Sequence, residues 1–324
     1  MEFQSKLSII IPSRNVSSWP FLQKTVTNLF DNSSGDIEVI VLLDGFIPDP
    51  PLINRKNLTI VYHPESIGMR QSINEGASIA KGEFIAKVDD HCCFGPGYDK
   101  ILTENCEDNW LAIPSRYSLD GEKYLAGEID FKKMIKYGPI QYDYLCWPYL
   151  KDPQFGYGFH GKKWHGSHGY TGGYFDREKE RKDIQVDEII AFQGSCWLMS
   201  RDLFFKIGCM QIEGFGSFAQ EAQELIFKVS LSGGRCVVVK QAEYAHLHKS
   251  EATGGRGYKL LKHQIIQSAI YSADFWINDR WPLATKKIRD VIENPNWWPL
   301  ELWPTDWQNH EFLKDYDYSK WLYK

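Results

Sequence analysis

Phe84–His91 reads FIAKVDDH. An apolar run with the look of a buried strand ends in two carboxylates and an imidazole. Unpaired charge is costly to bury, and a strand end needs no such cluster to fold. In an open parallel sheet, however, ligands bind beyond the carboxyl ends of the strands. Side chains two apart on a strand share a side, so Asp89 and His91 can share a ligand while Asp90 faces away. Carboxylate oxygens invite a divalent cation, and an imidazole among them favours Mn²⁺ over Mg²⁺.

Working outward, KLSIIIP (6–12), IEVIVLLD (37–44) and LTIVYH (58–63) read as three more buried strands. Helical segments fall between them: one from the Ser18 cap and Pro20 to about Phe30, one over 66–82 closed by Gly82, and one beginning at Gly97. This alternation argues for βαβ units, a parallel sheet and an α/β fold. The strand ends PSRN, LDG, HPES and DDH are all polar, as a nucleotide site requires. No G-x-G-x-x-G and no Walker sequence is present, so carboxylate-held metal is the means left for holding phosphates.

The rhythm breaks after Ser118. The stretch 155–176, FGYGFHGKKWHGSHGYTGGYFD, is a Gly-aromatic loop of the kind that forms an acceptor-facing lid. Its histidines 160, 165 and 168 lack neighbouring thiols, which argues against structural zinc. Order returns with a strand over 191–200, a helix over 201–208, a helix over 217–234, the strand RCVVVK and an extended AEYAHLHKS. Residues 1–250 are thus expected to form one domain: a nucleotide-binding part at 1–118, a loop-rich insertion at 119–188 and an acceptor-side part at 189–250. Residues 251–324 form a helical, Trp-rich C-terminal extension.

The 324 residues carry a net charge of −5, which gives no general attraction to nucleic acid or anionic membrane. Seven cysteines without a Cys-x-x-Cys pair suggest reduced thiols and a cytoplasmic setting. No secretory leader and no apolar run of membrane-spanning length is read in the chain.

SIIIPSRN (8–15), EVIVLLDG (38–45), the stretch 66–91 and GSCWLMSRDLF (194–204) together resemble a GT-A glycosyltransferase of the family-2 type. Gly68, Ser72, Asn74 and Gly76 fit that family's G-x-x-x-[AS]-x-N-x-G pattern. DDHCC (89–93), QEAQELIFKV (220–229) and AHLHKS (245–250) are similar to motifs of polypeptide N-acetylgalactosaminyltransferases.

The resemblance implies a GT-A fold, an Mn²⁺ or Mg²⁺ ion and a UDP-sugar donor. Asp89, His91 and His246 would be metal ligands, with His246 preferred to His248. Asp44 would lie near the base, and Ser13, Arg14, Arg70 and Asp90 near the nucleotide. Glu221 and Glu224 would be the acidic pair facing the sugar. Lys249 and Arg256 could clamp the diphosphate. Ala219, Gln220 and Ala222 stand where those relatives have two glycines and an asparagine, so the sugar does not carry over.

The acceptor is expected to be a hydroxyl, on a hydroxymethylated DNA base, a protein or a glycan. The DNA reading rests on the stretch 271–307, which resembles tails of glycosyltransferases carried by bacteriophages and would place the protein in the host cytoplasm. Nucleotidyl transfer, or a binding module with a dead site, are the rival readings.

Overall fold

The computed structural model describes residues 6–14, 19–146, 159–163, 177–248, 262–294 and 307–308. In chain order the elements begin with β1 (Leu7–Ser13), α1 (Trp19–Asn32), β2 (Ile37–Asp44), β3 (Leu58–His63), α2 (Met69–Ile79) and β4 (Phe84–Val88). Next come β5 (Cys92–Phe94), α3 (Tyr98–Glu104), β6 (Trp110–Leu119), α4 (Gly121–Leu125), β7 (Ile135–Ile140), β8 (Asp143–Cys146) and β9 (His160–Lys163). The last are α5 (Arg177–Glu180), β10 (Val186–Glu188), β11 (Cys196–Ser200), α6 (Arg201–Lys206), α7 (Glu221–Leu231), β12 (Arg235–His246), α8 (Lys262–Ile277) and α9 (Ile288–Ile292).

The main sheet runs β10-β12-β6-β11-β4-β1-β2-β3, with β5 on β12 and β7 on β6. Strands β4, β1, β2 and β3 are mutually parallel, whereas β11 is antiparallel to both β4 and β6. The continuous apolar runs serve two faces at once. Ile10, Ile40 and Leu42 join α2's Ile73 and Ala77 on one side. Ile9, Ile11, Val39 and Val41 join α1's Leu22, Val26 and Leu29 on the other. Burial on both faces explains why β1 and β2 show no regular polar alternation; β3, expected to be buried, is instead a half-exposed strand at the sheet edge. Each fully buried Ile or Leu contributes roughly 1.5–3 kcal/mol.

Strand order reverses between β1 and β4, and their carboxyl ends open side by side at that switch point. Strand β12 runs parallel to β6 and carries its C-terminal end to the same region. There it pairs antiparallel with β5, setting His246 opposite Cys92.

Several boundaries differ from those expected. The second helix stops at Ile79 rather than running to Gly82. Gly82 instead lies against β1, where a Cβ would sit 2.7 Å from the Ser8 backbone nitrogen. Strand β4 ends at Val88, before the acidic residues. The strand expected over 191–200 begins only at Cys196, and the helix expected from 217 begins at Glu221. RCVVVK and the following extended segment form one strand, β12, with a register shift between Val239 and Glu243. The Ser18 cap and most of the 155–176 loop lie outside the described residues.

In the C-terminal part, Ala273, Trp276, Trp281, Ile288 and Trp307 are buried in the same cluster as α7 and the sheet. The Trp276 ring lies 5.4 Å from that of Phe227 on α7. Among the described residues no helix is long and apolar enough to cross a membrane.

Candidate metal and donor site

Past Val88 the backbone leaves β4 and turns through Asp89, Asp90 and His91 before β5 begins. The turn is pinned on both sides. Asp89 N–H donates to the Ser195 carbonyl at 2.9 Å, and Leu247 N–H donates to the His91 carbonyl at 3.1 Å. Three side chains from two strand ends thereby converge. His246 Nε2 is 3.0 Å from His91 Nε2 and 3.3 Å from Asp89 Oδ2, and His91 Nε2 is 4.0 Å from the same oxygen. Among the described residues this is the one group of three such side chains that could hold a metal ion. Asp89 and His91 do come together, but through the turn and the β5–β12 pairing, not through alternation along β4.

The protonation states suit a ligand set. Burial pushes the His246 imidazole down to about 3, so the ring is neutral. Burial alone would raise the Asp89 carboxyl. The Lys87 ammonium, helped by the His246 hydrogen bond and His91, overcomes this and holds it well below the usual range. His246 Nδ1 is buried without a hydrogen-bond partner. Two imidazoles and one ionised carboxylate make a donor set that Mn²⁺ accepts.

Sequence reasoning missed the group that organises Asp89. Lys87, 1% exposed, places its ammonium 2.7 Å from Asp89 Oδ1, 2.6 Å from the Gly194 carbonyl and 3.1 Å from Glu221 Oε2. Three donors thus meet three acceptors. Burial disfavours the Lys87 charge, but Asp89 and Glu221 more than offset this and raise its pKa. Glu221 accepts from Trp197 Nε1 at 2.7 Å with its other oxygen. Its carboxyl is pushed up by burial, with Lys87 opposing. A Cβ on residue 194 would lie 2.7 Å from Glu221 Oε2, so any larger residue there would displace this carboxylate from its place between Lys87 and Trp197. The signal was present in FIAKVDD: a lysine inside an apolar strand, two residues before an aspartate.

The other expected residues divide. Glu224 is fully buried and belongs to a different group. Its oxygens take the Arg70 guanidinium, Lys228 Nζ at 2.7 Å and Gln211 N–H at 2.7 Å. Arg70 also donates to the Gln211 and Ala219 carbonyls and lies over the Phe215 ring at 4.9 Å. It therefore ties the 211–219 loop to α2. Asp44 accepts from Ser66 Oγ and from the Ile67 and Gly68 N–H groups, holding the turn into α2. Ser13 Oγ donates to Asp90 Oδ2 at 2.6 Å, and Asp90 Oδ1 lies 2.5 Å from His91 Nδ1. Arg14 is exposed at the end of β1. Lys249 and Arg256 lie outside the described residues.

The model of glycosyl transferase family 2 matches residues 8–208, and the chain belongs to that family. It is 27% identical over 139 residues to "Uncharacterized glycosyltransferase EpsJ" of Bacillus subtilis (strain 168), covering 40% of this chain and 40% of that protein. It is 24% identical over 264 residues to "Putative polypeptide N-acetylgalactosaminyltransferase 13" of Drosophila melanogaster, covering 76% of this chain and 42% of that one. The chain thus spans about two-fifths of the length of the curated relatives it matches. A solved structure, that of GalNAc-T7 with UDP, GalNAc and Mn²⁺, superposes with a TM-score of 0.57 at 16% identity. That match covers 79% of this chain and 45% of the other, and it identifies the fold as GT-A.

Proposed function

We propose that the protein transfers a sugar from a nucleoside diphosphate sugar, a uridine diphosphate sugar first of all, to an acceptor hydroxyl. The observation that carries this reading is the convergence of Asp89, His91 and His246 beyond the strand ends, at the switch point of a GT-A sheet. These three residues would hold a divalent cation of the Mn²⁺ type. When bound, such a cation supplies Lewis-acid neutralisation of the diphosphate leaving group. Support for the donor comes from the structural neighbour, whose crystals held UDP, GalNAc and Mn²⁺.

The chain's own residues prepare that site. Lys87 holds Asp89 Oδ1, which leaves Oδ2 turned toward the two imidazoles. Glu221 anchors Lys87 from the other side. With both oxygens already accepting, Glu221 is better placed to position these groups than to take a proton from the acceptor. Glu224 has its oxygens filled as well. The acceptor proton therefore passes to the departing diphosphate oxygen, a course that retains the sugar's configuration.

The acceptor hydroxyl belongs to a protein or glycan, in line with the name of the fly relative, or to a hydroxymethylated DNA base. Labelled sugar offered with Mn²⁺ to a peptide mixture, glycans and hydroxymethyl-containing duplex DNA separates these. Calorimetry with UDP tests the donor half: binding that depends on Mn²⁺ supports the reading. Absent or metal-independent UDP binding, with no transfer to any acceptor, overturns it. The anomeric configuration of the product, read by proton NMR, tests the stereochemical course.

A further inference from the structure

Two residues expected beside the nucleotide are tied instead to a metal-site histidine. Asp90 is 4% exposed and lies on the far side of the His91 ring from the cluster. Its Oδ1 is 2.5 Å from His91 Nδ1, and its Oδ2 accepts from Ser13 Oγ at 2.6 Å. A carboxylate can only accept hydrogen bonds, so the His91 proton belongs on Nδ1. That leaves Nε2 with its lone pair turned toward His246 Nε2 and Asp89 Oδ2. Ser13, 2% exposed at the end of β1, fixes the Asp90 carboxylate plane in turn. His246 has no such support, since its Nδ1 finds no partner.

We propose that Asp90, held by Ser13, is a positioning residue that locks His91 in the Nδ1–H tautomer and orients its Nε2 for a divalent cation; the inference rests on the cation reading above. It also assigns each residue of the Asp-Asp-His turn a separate task. Asp89 and His91 face the ion, and Asp90 faces back into the protein to orient one of them. Outer partners of this kind are generally worth ten- to a hundredfold in metal affinity. A residue that merely stabilised the turn would alter melting without setting a tautomer.

The test uses the full chain and Mn²⁺ alone as the probe. Titration by calorimetry and electron paramagnetic resonance is expected to show Asp90→Asn binding Mn²⁺ about ten- to a hundredfold more weakly than wild type. Ser13→Ala should lose less, in the same direction. Imidazole ¹⁵N shifts of the metal-free wild type, with His91 assigned by its loss in His91→Gln, should report the Nδ1–H tautomer. In Asp90→Asn that tautomer should no longer dominate. Wild type that binds Mn²⁺ alongside an Asp90→Asn protein of equal affinity overturns the inference, as does an Nε2–H tautomer in wild type. Wild type that binds no Mn²⁺ overturns the cation reading instead, and the ¹⁵N shifts then decide the tautomer alone. Should Asp90→Asn fail to fold, Ser13→Ala and the wild-type shifts decide the matter.

Discussion

Glu221 and Glu224 lie one turn apart on α7, yet they belong to two buried charge clusters of opposite character. Around Glu224 the carboxylate is filled: Arg70, Lys228 and the Gln211 N–H take its oxygens, and of this group Arg70 Nε alone lacks a partner. Lys228 also reaches the Cys209 carbonyl at 2.6 Å, and Arg70 reaches two more. This knot joins α2, α7 and the loop between α6 and α7, and it is closed to solvent. At the other cluster, Lys87 is equally well matched, but beyond Asp89 the balance fails. Two imidazole nitrogens and a carboxylate oxygen face one another within 4.0 Å, a donor set of metal-ligand type. Filled carboxylate oxygens mark the first cluster as architecture. Converging ligand atoms make the second the proposed cation site.

The largest effect expected of this contrast is on folding. Arg70→Ala or Glu224→Ala leaves a buried charge without its partner and should cost about 3–5 kcal/mol in urea unfolding. A loss below about 1 kcal/mol would erase the distinction between the clusters. Asp89→Asn or His91→Ala should do the converse: circular dichroism stays that of wild type while transfer falls below about a tenth, over ~1.4 kcal/mol in barrier. A variant that keeps more of the rate removes that residue from the ligand set.

A smaller effect concerns pH. His246 stays neutral in the folded protein down to about 3, whereas an unfolded histidine protonates below about 6.5. The unfolded state then binds the extra proton, so stability is full above pH 6.5 and declines as pH falls toward 3. For this single group the metal-free protein should lose about 1 kcal/mol between pH 7 and 5.5. His246→Gln should flatten that slope in urea titrations, and an unchanged slope would show that His246 is not buried neutral. The smallest effect is expected at Gln220, the residue before α7, with φ of 63°. Gln220→Gly relieves a left-handed backbone but loses the bond from Nε2 to the Phe159 carbonyl. The two roughly cancel, for a change within about 1 kcal/mol by thermal melting.

The sequence made the closed half of the sheet easy to read and the polar interior hard. Strands β1, β2 and β4 are predominantly apolar runs, and burial on both faces produces that pattern directly. Asp89 and His91 stood out because charge at a strand end has no folding purpose, whereas His246 came from the resemblance; the fold brings the three together. Glu224 was misplaced because spacing gives the face of a helix but not what covers it. Both glutamates share a face, and only the fold turns one toward Lys87 and the other toward Arg70. Ser13, Asp44 and Asp90 were assigned by resemblance to the nucleotide. The residues that hold them, 66–68 for Asp44 and His91 for Asp90, are turn contacts that no periodicity announces.

Crystals grown with Mn²⁺ and UDP, measured at the manganese absorption edge, test most directly whether Asp89, His91 and His246 hold a cation. One anomalous peak is expected, bounded by Asp89 Oδ2, His91 Nε2 and His246 Nε2, with the diphosphate against it and Lys87 still on Asp89 Oδ1. UDP bound with no anomalous peak at these three atoms, or with the peak elsewhere in the molecule, would contradict it.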